Sequence, residues 1–219
     1  MFRKELTYYF SSPIAYIVIG LYLLAVSLFL WVLPGGWNIV DAGYADLRGL
    51  FELSPWLLML LCPALTMRLI SEERQSGTWD LLCCQATPIW RLVLGKYLAA
   101  WVLTLVAIVP CIVHFVVVFF MAEPMGNIDS GQFFGSLIGL ILLSGTFTGL
   151  GLLAGSFSKS QIVSFLIGAV VCFVLYWTVL QARCDSLGRG VIDLRDVVLL
   201  LAIAATCVVL TTFIVSRKK

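Results

Sequence analysis

Charge and histidine are what this chain has least of. Asp, Glu, Lys and Arg make up 12% of its 219 residues, and there is one histidine. A water-soluble domain carries roughly 25% charged residues, so half that density excludes water as the main solvent. His114 alone, with no convergent carboxylates, leaves none of the groupings that acid–base or metal-assisted catalysis needs. No G-x-x-x-x-G-K-[ST] stretch occurs, so the sequence has no phosphate-cradling loop for ATP. The net charge of +2 is small, and basic residues do not interleave with aromatics in polar sequence. Nucleic-acid binding is therefore unsupported.

Cysteine is present but not patterned. Cys62, Cys111, Cys172 and Cys207 lie inside apolar runs, where cysteine acts as a small apolar residue. Cys83 and Cys84 are adjacent, with no second pair and no nearby histidine. Cys184 is the one cysteine expected on the outer side. Neither a disulfide framework nor a metal site follows.

What is abundant is apolar sequence, 61% of residues with a mean hydropathy of +1.04. A hydrocarbon core about 30 Å thick takes about 20 helical residues to cross. Six runs fit: Ile14–Leu33, Leu53–Ile70, Tyr97–Met121, Phe133–Gly155, Ile162–Leu180 and Val197–Val215. The longest stretch outside them, residues 71–96, leaves no room for a soluble catalytic domain. The expected fold is all-α, a polytopic membrane protein of six transmembrane helices in one domain over residues 1–219. The first run is too long for a signal-peptide core, and Pro34, Gly35, Gly36 and Trp37 follow it instead of a small-x-small cleavage site.

Lys and Arg favour cytoplasmic loops. With both termini inside, ten fall inside: Arg3, Lys4, Arg68, Arg74, Arg91, Lys96, Lys159, Arg217, Lys218 and Lys219. Four fall outside: Arg48, Arg183, Arg189 and Arg195. The loop 121–132 has no Lys or Arg and fits the outside, whereas the loop 181–196 carries three arginines against the trend. Residues 1–13 suggest an interfacial helix, because Phe2, Leu6, Tyr9 and Phe10 share one helical face. The alternative is a polar tail with chance aromatics. Ser12 offers an N-cap and Pro13 suits a first helical position.

The fourth run holds Gly135, Gly139, Gly145, Gly149, Gly151 and Gly155, forming three G-x-x-x-G pairs. Such pairs let helix backbones approach closely in lipid. Because the register shifts between pairs, they serve either internal packing or a dimer face. Ser144, Thr146 and Thr148 can bond back to their own helix or across to a neighbour. No Asp, Glu, Lys or Arg lies at a span centre, where it would mark an ion path. His114, near Pro110, reads as a packed, hydrogen-bonded residue before a proton relay. No internal repeat of the kind common in ion-coupled transporters is visible. An external energy source is the expectation.

The segment Met67–Lys96 is polar between two apolar runs. Ser71-Glu72-Glu73-Arg74 leads to Gly77, which breaks a helix at about 1 kcal/mol relative to alanine. Thr78 can cap a new short helix with Asp80 in its first turn. Trp79, Leu82, Cys83 and Ala86 make one apolar face. Pro88 stops the helix or turns the chain, and Arg91 and Lys96 mark re-entry to the membrane. A capped helix held at both ends by spans can transmit force to both. Lying flat on the membrane is the alternative, but Glu72, Glu73 and Asp80 oppose an anionic inner leaflet.

Glu72-Glu73-Arg74, Gly77-Thr78-Trp79-Asp80-Leu81-Leu82 and Pro88 resemble the EE(R/K)xxGTxExLLxxxP segment of ABC-2 type export permeases. The chain is most similar to the gliding-motility, GldF-like, permeases. Phe2–Tyr16 resembles that group's opening. Asn38-Ile39, Gly43-Tyr44-Ala45 and Leu50-Phe51 resemble its first outer loop, and Pro63–Arg68 the end of its second span. Gly190–Asp196 resembles its last outer segment. Asp80 stands where the family often has Glu, and Cys83–Ala86 is more apolar than usual, which affects partner-specific contacts.

The resemblance implies a permease of the bacterial inner membrane without ATP-binding parts of its own. It implies a second permease subunit, identical or related, and a cytoplasmic ABC ATPase dimer that holds ATP and Mg. It makes residues 78–87 a coupling helix within a cytoplasmic hairpin, residues 71–91. Docking falls to Glu72, Glu73, Arg74, Gly77, Thr78, Trp79, Asp80, Leu82, Cys83, Ala86 and Pro88. The rival readings are a non-transporting anchor or mechanotransmitting scaffold for an ATPase, and a membrane-bound redox or lipid enzyme. The enzyme lacks paired histidines and an acid–base pair. Cargo stays open between lipids, polysaccharides, peptides and lipoproteins.

Overall fold

In lipid a backbone N–H or C=O has no water to bond, so an apolar run must satisfy its amides within itself, as a helix does. The computed structural model describes residues 2–11, 13–43, 46–75, 77, 88–123, 126, 128–158, 160–180 and 193–217, and all regular structure among them is helical. In chain order these are α1 (Phe2–Ser11), α2 (Pro13–Trp31), α3 (Ile39–Ala42), α4 (Arg48–Gln75), α5 (Ile89–Ile108), α6 (Cys111–Met121), α7 (Ser130–Phe157), α8 (Gln161–Leu175) and α9 (Leu194–Arg217), with a π-helical turn, Tyr176–Leu180, closing α8. Five stretches are each long and apolar enough to cross a membrane: Arg48–Ser71, Ile89–Met121, Ser130–Phe157, Gln161–Val179 and Leu194–Arg217. A sixth is reached by counting α1 and α2 together as one bent pair, their axes 69° apart. The all-helical, multi-pass expectation holds.

The helices outrun their hydropathy. The second expected span began at Leu53 and ended at Ile70, but α4 runs 28 residues, about 42 Å at 1.5 Å per residue. The third began at Tyr97, but its helix starts at Ile89 and continues through a break at Val109-Pro110 to Met121. Pro110 lacks the N–H that would bond the preceding turn, which explains the break. Apolar length reports the lipid thickness, whereas backbone bonding continues into polar sequence beyond it.

The core forms around α7, which packs on α4, α9, α8 and α5. All six glycines of the pairs are buried there. A Cβ on Gly145 would press on Tyr97 and Trp101 of α5, and one on Gly149 on Cys207 of α9. A Cβ on Gly151 would collide with Thr66 Oγ1 and lie 3.2 Å from Pro63 Cα of α4. Gly145, Gly149 and Gly151 thus admit three different neighbours, which is why the register shifts. Of the two roles open in the sequence, internal packing is the one these three fill. Gly168 of α8 brings its own backbone to the other side of Pro63, where a Cβ would sit 3.1 Å from the proline Cβ. The hydroxyls of Ser144, Thr146 and Thr148 all bond back to their own helix, at 2.7 Å each.

Candidate coupling site

One end of the bundle gathers α1, the end of α4 and the start of α5, the two helices between which the polar hairpin lies. α4 ends at Gln75, and Gly77 follows with φ +72°, the left-handed turn that glycine adopts without a Cβ clash. Pro88 is extended (φ −66°, ψ 138°) and caps α5, where a missing N–H is harmless. Trp90 is exposed at this end, with the Arg91 guanidinium 5.2 Å from its ring centre.

Glu73 sits in the last turn of α4, and Lys96 is the eighth residue of α5. The Lys96 ammonium donates to Glu73 Oε1 at 2.7 Å and to Glu5 Oε1 of α1 at 3.1 Å. Its side chain is 1% exposed, against 22% for Glu73 and 14% for Glu5. An ammonium taken out of water persists only when paired and hydrogen-bonded. Here one cation shares two carboxylates from two other helices. Burial pushes the Glu73 carboxyl above its usual range, and the Lys96 charge pulls it partly back.

Two further contacts brace this neck. The Tyr9 hydroxyl of α1 donates to the Leu65 carbonyl of α4 at 2.7 Å. Ser71 of α4 and Ser164 of α8 share a hydrogen bond of 2.7 Å, both buried. The inward side of α1 is therefore Glu5, Leu6 and Tyr9, while Tyr8 and Phe10 stay exposed and Phe10 meets Tyr16 edge-on. Of the four residues expected to share one apolar face, Tyr9 is buried, Leu6 half-buried and Phe10 exposed; the Phe2 side chain lies outside the described residues.

The structure places the expected docking residues unevenly. Glu73, Gly77 and Pro88 have the positions just given. Glu72 and Arg74 lie in the last turn of α4, their side chains outside the description. Thr78, Trp79, Asp80, Leu82, Cys83 and Ala86 lie outside the described residues, as do Ser12 and Cys184. Lys96, read from sequence as a marker of membrane re-entry, is enclosed within the protein near the start of α5. Glu5 carried no signal at all in a hydrophobic reading of α1.

Toward the other end, His114 Nε2 meets Ser27 Oγ at 3.2 Å, and the ring is 9% exposed. Tyr22 lies nearby in the same helix pair, 3.4 Å from Ser54 Oγ. The ring is packed and hydrogen-bonded. Among the described residues, the neck ties α1, α4 and α5 together where the polar segment leaves α4 and enters α5.

Residues 45–217 match the family model described as ABC-2 family transporter protein. The chain belongs to that family. The matched stretch of this ABC-2 membrane component runs from before α4 to the end of α9, so it includes the hairpin, Glu73 and Lys96. It begins after α1 and α2. No curated protein matches the chain. ABC-2 membrane components in general work with an ATPase partner.

Proposed function

We propose that this ABC-2 chain is the permease subunit of an exporter in the bacterial inner membrane, driven by a separate ABC ATPase dimer that holds ATP and Mg. Both termini and the hairpin face the cytoplasm, in line with the Lys and Arg distribution. Residues 78–87 form the coupling helix, with Trp79, Leu82, Cys83 and Ala86 seated in the ATPase and Glu72, Arg74 and Asp80 at its rim. Two permease subunits, identical or related, form the path between them. The likeness of its segments to those of the GldF-like gliding-motility permeases is the ground on which we propose export linked to the cell surface.

The observation that carries this reading is the neck. Lys96 bonds Glu73 across the base of the hairpin, so a push on residues 78–87 reaches α4 and α5 together. A loop with slack roots would dissipate it.

Trp79→Glu with Leu82→Glu tests the reading in the purified permease–ATPase complex. Permease-stimulated ATP turnover should fall about tenfold or more, the size of an ordinary coupling free energy, while the permease remains folded in the membrane. Turnover at the wild-type level would overturn it.

A further inference from the structure

From the charge cluster at the neck we infer that Lys96 is a positioning residue that makes α1 a moving part of the coupling unit. The proposal rests on the exporter reading, since it names a third helix that the hairpin drives.

The geometry has two independent anchors. Glu5 and Tyr9 are four residues apart on α1 and so lie on one face, one turn apart. Glu5 reaches Lys96 on α5 at 3.1 Å, and Tyr9 reaches the Leu65 carbonyl on α4 at 2.7 Å. Each hairpin root therefore has its own bond to α1, and Lys96 closes the circuit by also holding Glu73 at 2.7 Å.

The charges make the circuit more than a packing contact. Lys96 is 1% exposed, so an α1 that swung away would strip the ammonium of one carboxylate without water to replace it. The low-energy response to hairpin motion is for α1 to follow. Because α1 is followed by α2 with the two axes 69° apart, displacement of α1 passes to α2, which itself packs on α4 and α5. The family match begins at residue 45, so Glu5 and α1 are not part of what assigns this chain to its family.

The test uses the full chain with Glu5→Gln, Lys96→Met and Glu73→Gln combined. This variant leaves no charge unpaired among the three, so it folds where Lys96→Met alone can fail. Spin labels on non-natural residues at Lys4 and Gln75, both exposed, report the distance from α1 to the hairpin root in liposomes without the ATPase. The wild type should give one sharp distance, and the triple variant should lose it. In complex with the ATPase, stimulated turnover of the triple variant should fall about tenfold. A triple variant that keeps the sharp distance, or keeps wild-type turnover, overturns the proposal. The distance arm needs no ATPase, so it stands apart from the exporter reading, which fails separately if the wild-type complex shows no stimulated turnover.

Discussion

The middle of the bundle and its hairpin end are held by opposite means. In the middle, glycine removes side chains so that α4, α7 and α8 meet around Pro63, and what remains is shape: Gly151 leaves no space for a methyl group, and one on Gly168 would need Pro63 to give by a few tenths of an ångström. At the hairpin end, two carboxylates, from α1 and α4, meet around one buried ammonium of α5. Lipid supplies little hydrophobic drive between helices, so close van der Waals contact must hold the middle. Near the membrane surface charge becomes tolerable, and an ion pair can fix relative position without fixing tight contact. A rigid middle with an ion-tied end suits a body that is worked from one end.

Breaking the charged end should cost most. Lys96→Met takes from Glu5 and Glu73 the ammonium they share, and removing one partner of a buried pair typically costs about 3–5 kcal/mol. The expected result is a large drop in thermal unfolding temperature in detergent. A loss no greater than that of an ordinary surface substitution would mean the neck is wetter than its 1% exposure implies.

Breaking the shape-held middle should cost less, because neighbours can shift. Gly151→Val drives side-chain atoms into Thr66 and Pro63, and overpacking of this kind costs about 1–3 kcal/mol. Gly20, whose Cβ would meet nothing within 4 Å, is the control. There alanine should be neutral or stabilising by up to about 1 kcal/mol, as helix propensity dictates. Equal losses at Gly151 and Gly20 would show that α7 does not need its glycines for close approach.

The two regions were unequally legible in the sequence. Composition and run length gave the helices of the middle, because lipid solvation acts on each run alone. The glycine pairs announced close packing, though their three different neighbours needed a fold to separate. Gly77 and Pro88 punctuate the hairpin by local backbone chemistry, and that is readable residue by residue. The neck was not readable. Glu73 and Lys96 are 23 positions apart and Glu5 is 91 from Lys96, so no periodicity links them. Hydropathy points to Leu6 and Tyr9, which do lie on the inward side of α1, but gives no sign of Glu5, whose carboxylate bonds Lys96 there. The candidate contact helix 78–87 lies outside the described residues, so its reading still rests on sequence alone.

The smallest expected effect separates the two carboxylates within the neck. Burial holds the Glu73 carboxyl above its usual range despite Lys96. At pH below the ordinary carboxylate range, Glu73 carries its proton in both the folded and the unfolded chain. As pH rises, the unfolded chain releases that proton first, while the folded chain keeps it until the raised value is passed. In that window the folded state binds more protons, so stability falls with rising pH. Glu73→Gln removes that term. Wild type and variant should have similar unfolding temperatures at low pH, and the variant should gain on the wild type as pH rises toward neutrality. Lys96 keeps Glu5 as its counter-charge in the variant, so the penalty of Lys96→Met does not reappear. If instead the variant falls behind as pH rises, attraction to Lys96 outweighs burial at Glu73, and both carboxylates hold the neck on equal terms.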